Sequence, residues 1–235
     1  MISIPLAERL RPQNIDDLIG QKHLTGKGSI LRTAIENHKI PSMILWGPPG
    51  VGKTTIAGII ANSLQQPFFT LSAISSGVKE VREVIEEAKF KNGAILFIDE
   101  IHRFNKSQQD ALLGAVEKGT ITLIGATTEN PSFEVNSALL SRCQVYVLKS
   151  LQEKDLIELL KIALTKDTLI AQKNIQLKET ESLIKISGGD ARKLLNLLEL
   201  VCDQIGQGAI ITNDIVMKIA QNKIALYDKK GEQHY

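Results

Sequence analysis

The chain has 235 residues, of which 43% are hydrophobic and 23% charged, ordinary proportions for a globular protein with room for one large domain or two modest ones. A net charge of +2 is too mild to argue for nucleic acid by itself, and no apolar run approaches membrane-spanning length. The two cysteines, Cys143 and Cys202, form neither a metal-type spacing nor a disulfide framework, and the start of the chain has Glu8 and Arg9 but no apolar signal core, so a reducing, cytoplasmic setting is expected.

Residues 1–28 are polar and punctuated by Pro5, Pro12, Gly20, Gly26 and Gly28, which reads as a structured N-terminal arm. A helix is expected from about Ser29 to His38. Met43-Ile44-Leu45-Trp46 then reads as a buried parallel strand. Next comes Gly47-Pro48-Pro49-Gly50-Val51-Gly52-Lys53-Thr54, which matches the phosphate-cradling pattern G-x-x-x-x-G-K-[ST]. Thr55 to Leu64 reads as a helix, with Ile56, Ile59, Ile60 and Leu64 on one face. The loop therefore lies between a strand and a helix, the context its chemistry needs.

Residues 67–72 read as a second strand. Ser75-Ser76-Gly77 leads into a helix carrying Val78, Val81, Ile85 and Ala88 and ending at Asn92-Gly93. Ala94 to Ile98 is apolar throughout, as a central parallel strand would be, and it ends in Asp99-Glu100. Asn105 and Gln108 have capping-box spacing before a helix that stops at Gly119. A fourth strand is expected at 121–126, a short helix at 137–140 and a fifth strand at 145–148. Strands alternating with crossover helices imply an α/β fold with a five-stranded parallel sheet. From Ser150 on every segment reads as helix: a first one with Ser150 and Glu153 as its capping box, a second near 178–186 stopping at Gly188-Gly189, a third starting at Asp190 and a fourth over 212–221. The expected organisation is thus a P-loop domain over 1–150, an all-helical domain over 151–222 and a polar tail over 223–235.

The residue types specify chemistry. Glycines at 50 and 52 let backbone N–H groups reach phosphate oxygens, backed by the positive end of the following helix. Lys53 would reach the β- and γ-phosphates, and Thr54 would hold Mg²⁺ with its hydroxyl. Hydrolysis further needs a metal-positioning carboxylate, an activated water and cations for developing charge. Asp99 fits the metal and Glu100 the base that polarises water. A hydroxyl at Thr127 or Thr128 could bond that water or the γ-phosphate, or simply finish a strand. Arg192 sits at the unfavourable end of a helix dipole, which a phosphate would offset. Arg142, near the end of a short helix, is electrostatically welcome there without any further role. Lys79 and Arg82, with Arg103 and Lys106, lie at two helix starts, where they suit either a nucleic-acid backbone or a solvated charged face. His23, His38, His102 and His234 are scattered and suggest no metal site.

Taken in order, Gly47 to Thr54, Asp99-Glu100, Thr127-Thr128, Ser141-Arg142-Cys143 and Gly189-Asp190-Ala191-Arg192 resemble the Walker A, Walker B, sensor 1, arginine-finger and sensor 2 motifs of AAA+ ATPases. Residues 5–12, Ile19-Gly20-Gln21-Lys22-His23-Leu24 and the run Ile124 to Phe133 are closer still to the replication-associated recombination protein A family, relatives of the Werner-helicase-interacting ATPase. The resemblance implies a RecA-like AAA+ domain with a helical lid, ATP and Mg²⁺ as ligands, and DNA-dependent ATP hydrolysis at stalled forks, gaps or DNA ends. It places Arg142 in trans at a neighbouring subunit's ATP in a homo-oligomer, Arg192 on the γ-phosphate, and Arg11, Pro12 and Ile19 near the adenine. Nucleotide contacts would run from Gly47 through Pro48, Pro49, Gly50, Val51, Gly52, Lys53 and Thr54 to Thr55. The resemblance also implies single-strand-binding or other replication proteins as partners, a nucleoid-associated location, and a C-terminal oligomerisation region beyond this core. Ser72 stands where clamp loaders place a polar partner, usually asparagine, that restrains the catalytic glutamate. Other readings are a clamp-loader subunit, a branch-migration motor, or a nucleotide-gated scaffold with little turnover.

Overall fold

The computed structural model describes residues 4–231 except Ser75 and Asn92, with side chains described through residue 222. The loop positions expected at Ser75 and Asn92, the first three residues of the arm, and tail residues 232–235 with His234 lie outside the described residues. The chain divides into two compact units, Pro12–Ser150 and a second that joins Leu151 onward with the segment ending at Arg11.

The first unit is built on a five-stranded parallel sheet of order β2-β3-β4-β1-β5. The strands are β1 (Met43–Trp46), β2 (Phe68–Ser72), β3 (Ala94–Asp99), β4 (Ile121–Thr127) and β5 (Gln144–Val147). Side chains alternate between the two faces. On one face Met43, Leu45, Ile124 and Ala126 pack with Ile56 and Ile60 of the helix Lys53–Leu64. On the other Ile44, Leu96, Ile98 and Leu123 pack with Val81 and Ile85 of the helix Val78–Phe90 and Leu112 of the helix Lys106–Glu117. Covered on both faces, β3 has no use for polar residues until its last position, which accounts for its unbroken apolar run. The capping box opening the helix Lys106–Glu117 is formed as expected: Gln108 N donates to Asn105 Oδ1 at 3.0 Å and Asn105 N to Gln108 Oε1 at 2.8 Å.

All five strands run the same way, so their carboxyl ends share one edge of the sheet. The chain leaves β1 for the far edge, and only later strands β3 and β4 fill the gap. Such a sheet opens a crevice at its carboxyl ends where the strand order reverses. Gly47, Asp99-Glu100 and Thr127 all arrive there.

The second unit buries Leu156, Leu160, Leu183, Leu194, Leu198, Val201 and Val216 from the helices Glu153–Lys166, Glu181–Ser187, Ala191–Gln204 and Asn213–Gly231. Four expectations change here. The unit is not all helix, because β6 (Gln176–Leu177) pairs in parallel with β7 (Ile210–Ile211); two-residue strands are too short to leave a periodic signal. The first helix begins at Glu153, not nearer Ser150, so its box is made by Asp155, which accepts from Gln152 N at 2.9 Å. The last helix runs to Gly231, into what read as polar tail. And residues up to Arg11 belong to this unit, not to the P-loop unit: Leu6 is fully buried in its core, and Leu6 N donates to Glu199 Oε1 at 3.1 Å. Among the described residues no helix is long and apolar enough to cross a membrane.

Candidate active site

The P-loop turns from β1 into the helix Lys53–Leu64, which starts two residues earlier than the apolar spacing suggests because Lys53 and Thr54 form its first turn. Gly52 has φ 105°, a left-handed conformation that side chains resist, and it caps the helix. Gly47 is needed for a different reason: a Cβ there would meet Leu148 O at 2.5 Å. Gly47 N donates to Thr127 O at 3.1 Å, fastening the start of the loop to the end of β4. The N–H groups of Val51, Gly52, Thr54 and Thr55 meet no protein acceptor among the described residues, so they remain available to an anion.

Lys53 is 8% exposed, and its ammonium donates to Gly47 O at 2.7 Å and Pro48 O at 2.8 Å. A cation held over a turn of backbone donors suits a polyphosphate. Thr54 and Asp99 are both half-buried, at the start of the helix and the end of β3. A hydroxyl and a carboxylate are hard oxygen donors of the kind Mg²⁺ takes alongside phosphate oxygens and water. The described residues hold no cluster of three or more His, Cys, Asp or Glu side chains that would cage a metal without a substrate.

Glu100 follows β3 with φ 55°, a left-handed backbone that costs a non-glycine residue about 1–2 kcal/mol. Its carboxylate is 28% exposed, and Oε2 lies 3.3 Å from His102 Nε2. Ser72 stands opposite Asp99 in the sheet, but among the described residues no hydrogen bond joins it to Glu100. Thr127 is fully buried: its hydroxyl accepts from Glu129 N at 3.0 Å and lies 2.9 Å from His102 Nδ1 and 3.2 Å from Glu129 O. The Thr127 hydroxyl thus has partners within its own chain, while Thr128 is half-exposed.

The remaining candidates are dispersed. Arg142 lies just past the short helix Ser137–Leu140, where it donates to Ala138 O at 2.6 Å and pairs with Glu117 at 2.5 Å. Burial pushes the neighbouring Cys143 thiol up to about 11, which leaves it protonated and unreactive. Arg192 is exposed in the first turn of the helix Ala191–Gln204, with no acidic partner among the described residues. Arg11 pairs with Glu8 within the second unit. Pro12 and Ile19 are half-buried in the first unit. Lys79, Arg82, Arg103 and Lys106 are exposed; Lys79 lies 3.7 Å from Glu83. Gln108 Nε2 donates to Ser76 O at 2.8 Å, so the two helix starts carrying these cations are tied together.

Two residues that the sequence did not flag bear on the site. Gln21 is 5% exposed and exchanges hydrogen bonds with the Lys149 backbone at 2.7 and 3.0 Å, and its amide also reaches Val51 O at 3.5 Å. It anchors the arm beside the P-loop, where Leu18 also packs. The other is His102, whose only signal in the sequence was its nearness to Asp99-Glu100.

The model of the AAA family, ATPases associated with various cellular activities, matches residues 43–151, and that of an AAA C-terminal domain matches 171–235. The replication-associated recombination protein A of Coxiella burnetii is 48% identical over 99% of this chain and 54% of that protein. ATPase WRNIP1 of Dictyostelium discoideum is 41% identical over 98% of the chain and 29% of its own length. The chain spans about half the length, or less, of these curated relatives. Among solved structures, the Thermotoga maritima RuvB Holliday junction branch migration motor is similar, with a TM-score of 0.74 and 30% identity over 90% of this chain and 72% of that one.

Proposed function

We propose that this chain, which belongs to the AAA ATPase family and within it to the replication-associated recombination protein A branch, binds ATP with Mg²⁺ and hydrolyses it in response to DNA at stalled forks, gaps or ends. The observation that carries the reading is the meeting of the P-loop, Asp99-Glu100 and Thr127 at the carboxyl edge of one parallel sheet.

The backbone donors of residues 51–55 and the Lys53 ammonium bind the phosphates. Thr54 and Asp99 would hold Mg²⁺, which would supply positive charge at the phosphates. Glu100 orients the attacking water and takes its proton. Arg142, donated by a neighbouring copy in a homo-oligomer, stabilises the charge that develops on the γ-phosphate, with Arg192 acting from its own chain. Arg11, Pro12 and Ile19 lie on the arm that would flank the adenine. The exposed cations at the two helix starts provide a place for a DNA backbone. Single-strand-binding and other replication proteins are the expected partners.

The test is the ATPase rate per subunit against protein concentration, with and without a duplex bearing a single-stranded gap. The reading expects a rate that rises with concentration and rises again with DNA, and Glu100→Gln should keep nucleotide while turnover falls about 10²–10⁴-fold. A rate indifferent to Glu100→Gln overturns it. The likeness to a branch-migration motor favours a second reading, for which a four-way junction should stimulate more than the gap.

A further inference from the structure

His102 occupies the 3-10 turn Ile101–Arg103 that directly follows Glu100. Its ring is 12% exposed and touches both sides of the crevice: Nε2 is 3.3 Å from Glu100 Oε2 and Nδ1 is 2.9 Å from Thr127 Oγ1. A neutral imidazole carries one donor and one acceptor. With the proton on Nε2, the ring accepts from the threonine hydroxyl at Nδ1 and turns its N–H side to the carboxylate at an ion-pair distance of 3.3 Å. Thr127 is in turn fixed by Glu129 N, one turn of chain beyond β4. The result is a continuous path from the backbone after β4, through Thr127 and His102, to the carboxylate after β3. Among the described residues His102 is the one side chain able to carry positive charge within ion-pair distance of the Glu100 carboxylate, and no hydrogen bond joins Ser72 to it.

From this geometry we infer that His102 is a positioning residue: it holds Oε2 of Glu100 so that Oε1 faces the attacking water, and it ties that orientation to the end of β4. The inference rests on the ATPase reading of Glu100. It gives His102 the restraining place that family resemblance would give to residue 72.

The test uses the full chain and two kinds of readout. In the nucleotide-free protein, ¹⁵N shifts of the His102 ring should report the proton on Nε2, and both Thr127→Val and Glu100→Gln should move them. Ring shifts unmoved by either substitution overturn the bridge, whatever the enzyme turns over. In steady state, His102→Ala should lower kcat about 10–100-fold while affinity for a fluorescent ATP analogue stays within twofold. His102→Gln, whose amide can still donate toward Glu100, should recover most of that loss, and His102→Asn, which is too short to reach, should not. Thr127→Val should add little on top of His102→Ala. If Glu100→Gln abolishes turnover but His102→Ala changes kcat less than twofold, the positioning role fails and the ATPase reading stands. If turnover ignores Glu100→Gln, the ATPase reading fails, and the ring shifts alone judge the bridge.

Discussion

Arg9 and Asp167 stand 158 positions apart in the chain and 2.7 Å apart in space. The guanidinium is bidentate, Nε to Oδ2 at 2.7 Å and NH2 to Oδ1 at 3.0 Å, and its NH1 adds Glu199 at 2.7 Å. Asp167 is 4% exposed and also accepts from Ile170 N at 3.1 Å, so its charge is compensated on both oxygens. Arg9→Ala should cost the helical unit about 2–3 kcal/mol, because it strands a buried carboxylate. Arg9→Lys should recover only part, since an ammonium cannot reproduce the fork. Urea unfolding followed by circular dichroism measures both.

The same pair sets an acid dependence. The hydrogen bond from Arg9 holds the Asp167 carboxyl below its ordinary 3.8, against the opposing effect of burial. A depressed folded value means the contribution is present in full above 3.8 and is lost as pH falls through the lower folded value. Acid titration of stability should therefore show an extra loss below that pH in the wild type, much reduced in Arg9→Ala. Equal acid profiles would rule the pair out as its source.

Gly52→Ala tests the P-loop backbone. At φ 105° an alanine is strained, by about 1–2 kcal/mol, although the nearest atom to its Cβ, Leu18 Cδ1, is an ordinary 3.5 Å away. The expected outcome is a modest fall in melting temperature and a weaker grip on ATP, read by thermal melts and nucleotide titration. An unchanged affinity would place the phosphates elsewhere.

The proposed action of Arg142 on another copy requires it to leave Glu117. The Arg142 side chain is 38% exposed, so the pair is worth only about 0–1 kcal/mol, and Glu117→Gln should raise turnover by no more than about fivefold. Arg142→Ala should lower turnover about 10³–10⁵-fold. Mixing Arg142→Ala with Glu100→Gln should restore part of the activity, since one variant keeps the base and the other the arginine. No recovery on mixing would exclude action in trans.

Arg103→Glu and Lys106→Glu should weaken binding to gapped duplex across all sequences, and each neutralised contact should lower the slope of log affinity against log salt by about one. Fluorescence anisotropy at several salt concentrations decides it; unchanged slopes would return these cations to the solvated face.

The strands and the P-loop were legible because each is a local pattern: the apolar run of β3, the glycine spacing before Lys53, the reciprocal box of Asn105 and Gln108. What was hidden depends on partners far away in sequence. Leu6 reads as one more residue of a polar arm until Glu199 and the helical core are folded around it. The place of Thr127 after β4 points to a hydroxyl near phosphate, but its contact with His102 is set by packing and leaves no mark in the motif. Gln21 escaped for the same reason, since its partner is the backbone of Lys149.

The segment ending at Arg11 has a consequence for synthesis. Leu6 N is bonded to Glu199, 193 positions later. A ribosome delivers Leu6 before every strand of the parallel sheet, and the helices that will cover it only after them. The nucleotide-binding unit therefore has all of its own sheet in hand while Leu6 and Arg9 still trail without their partners. A nascent chain halted near residue 150 thus holds every strand of that sheet together with an uncovered leucine and an unmatched arginine, a species for a chaperone or a protease to find.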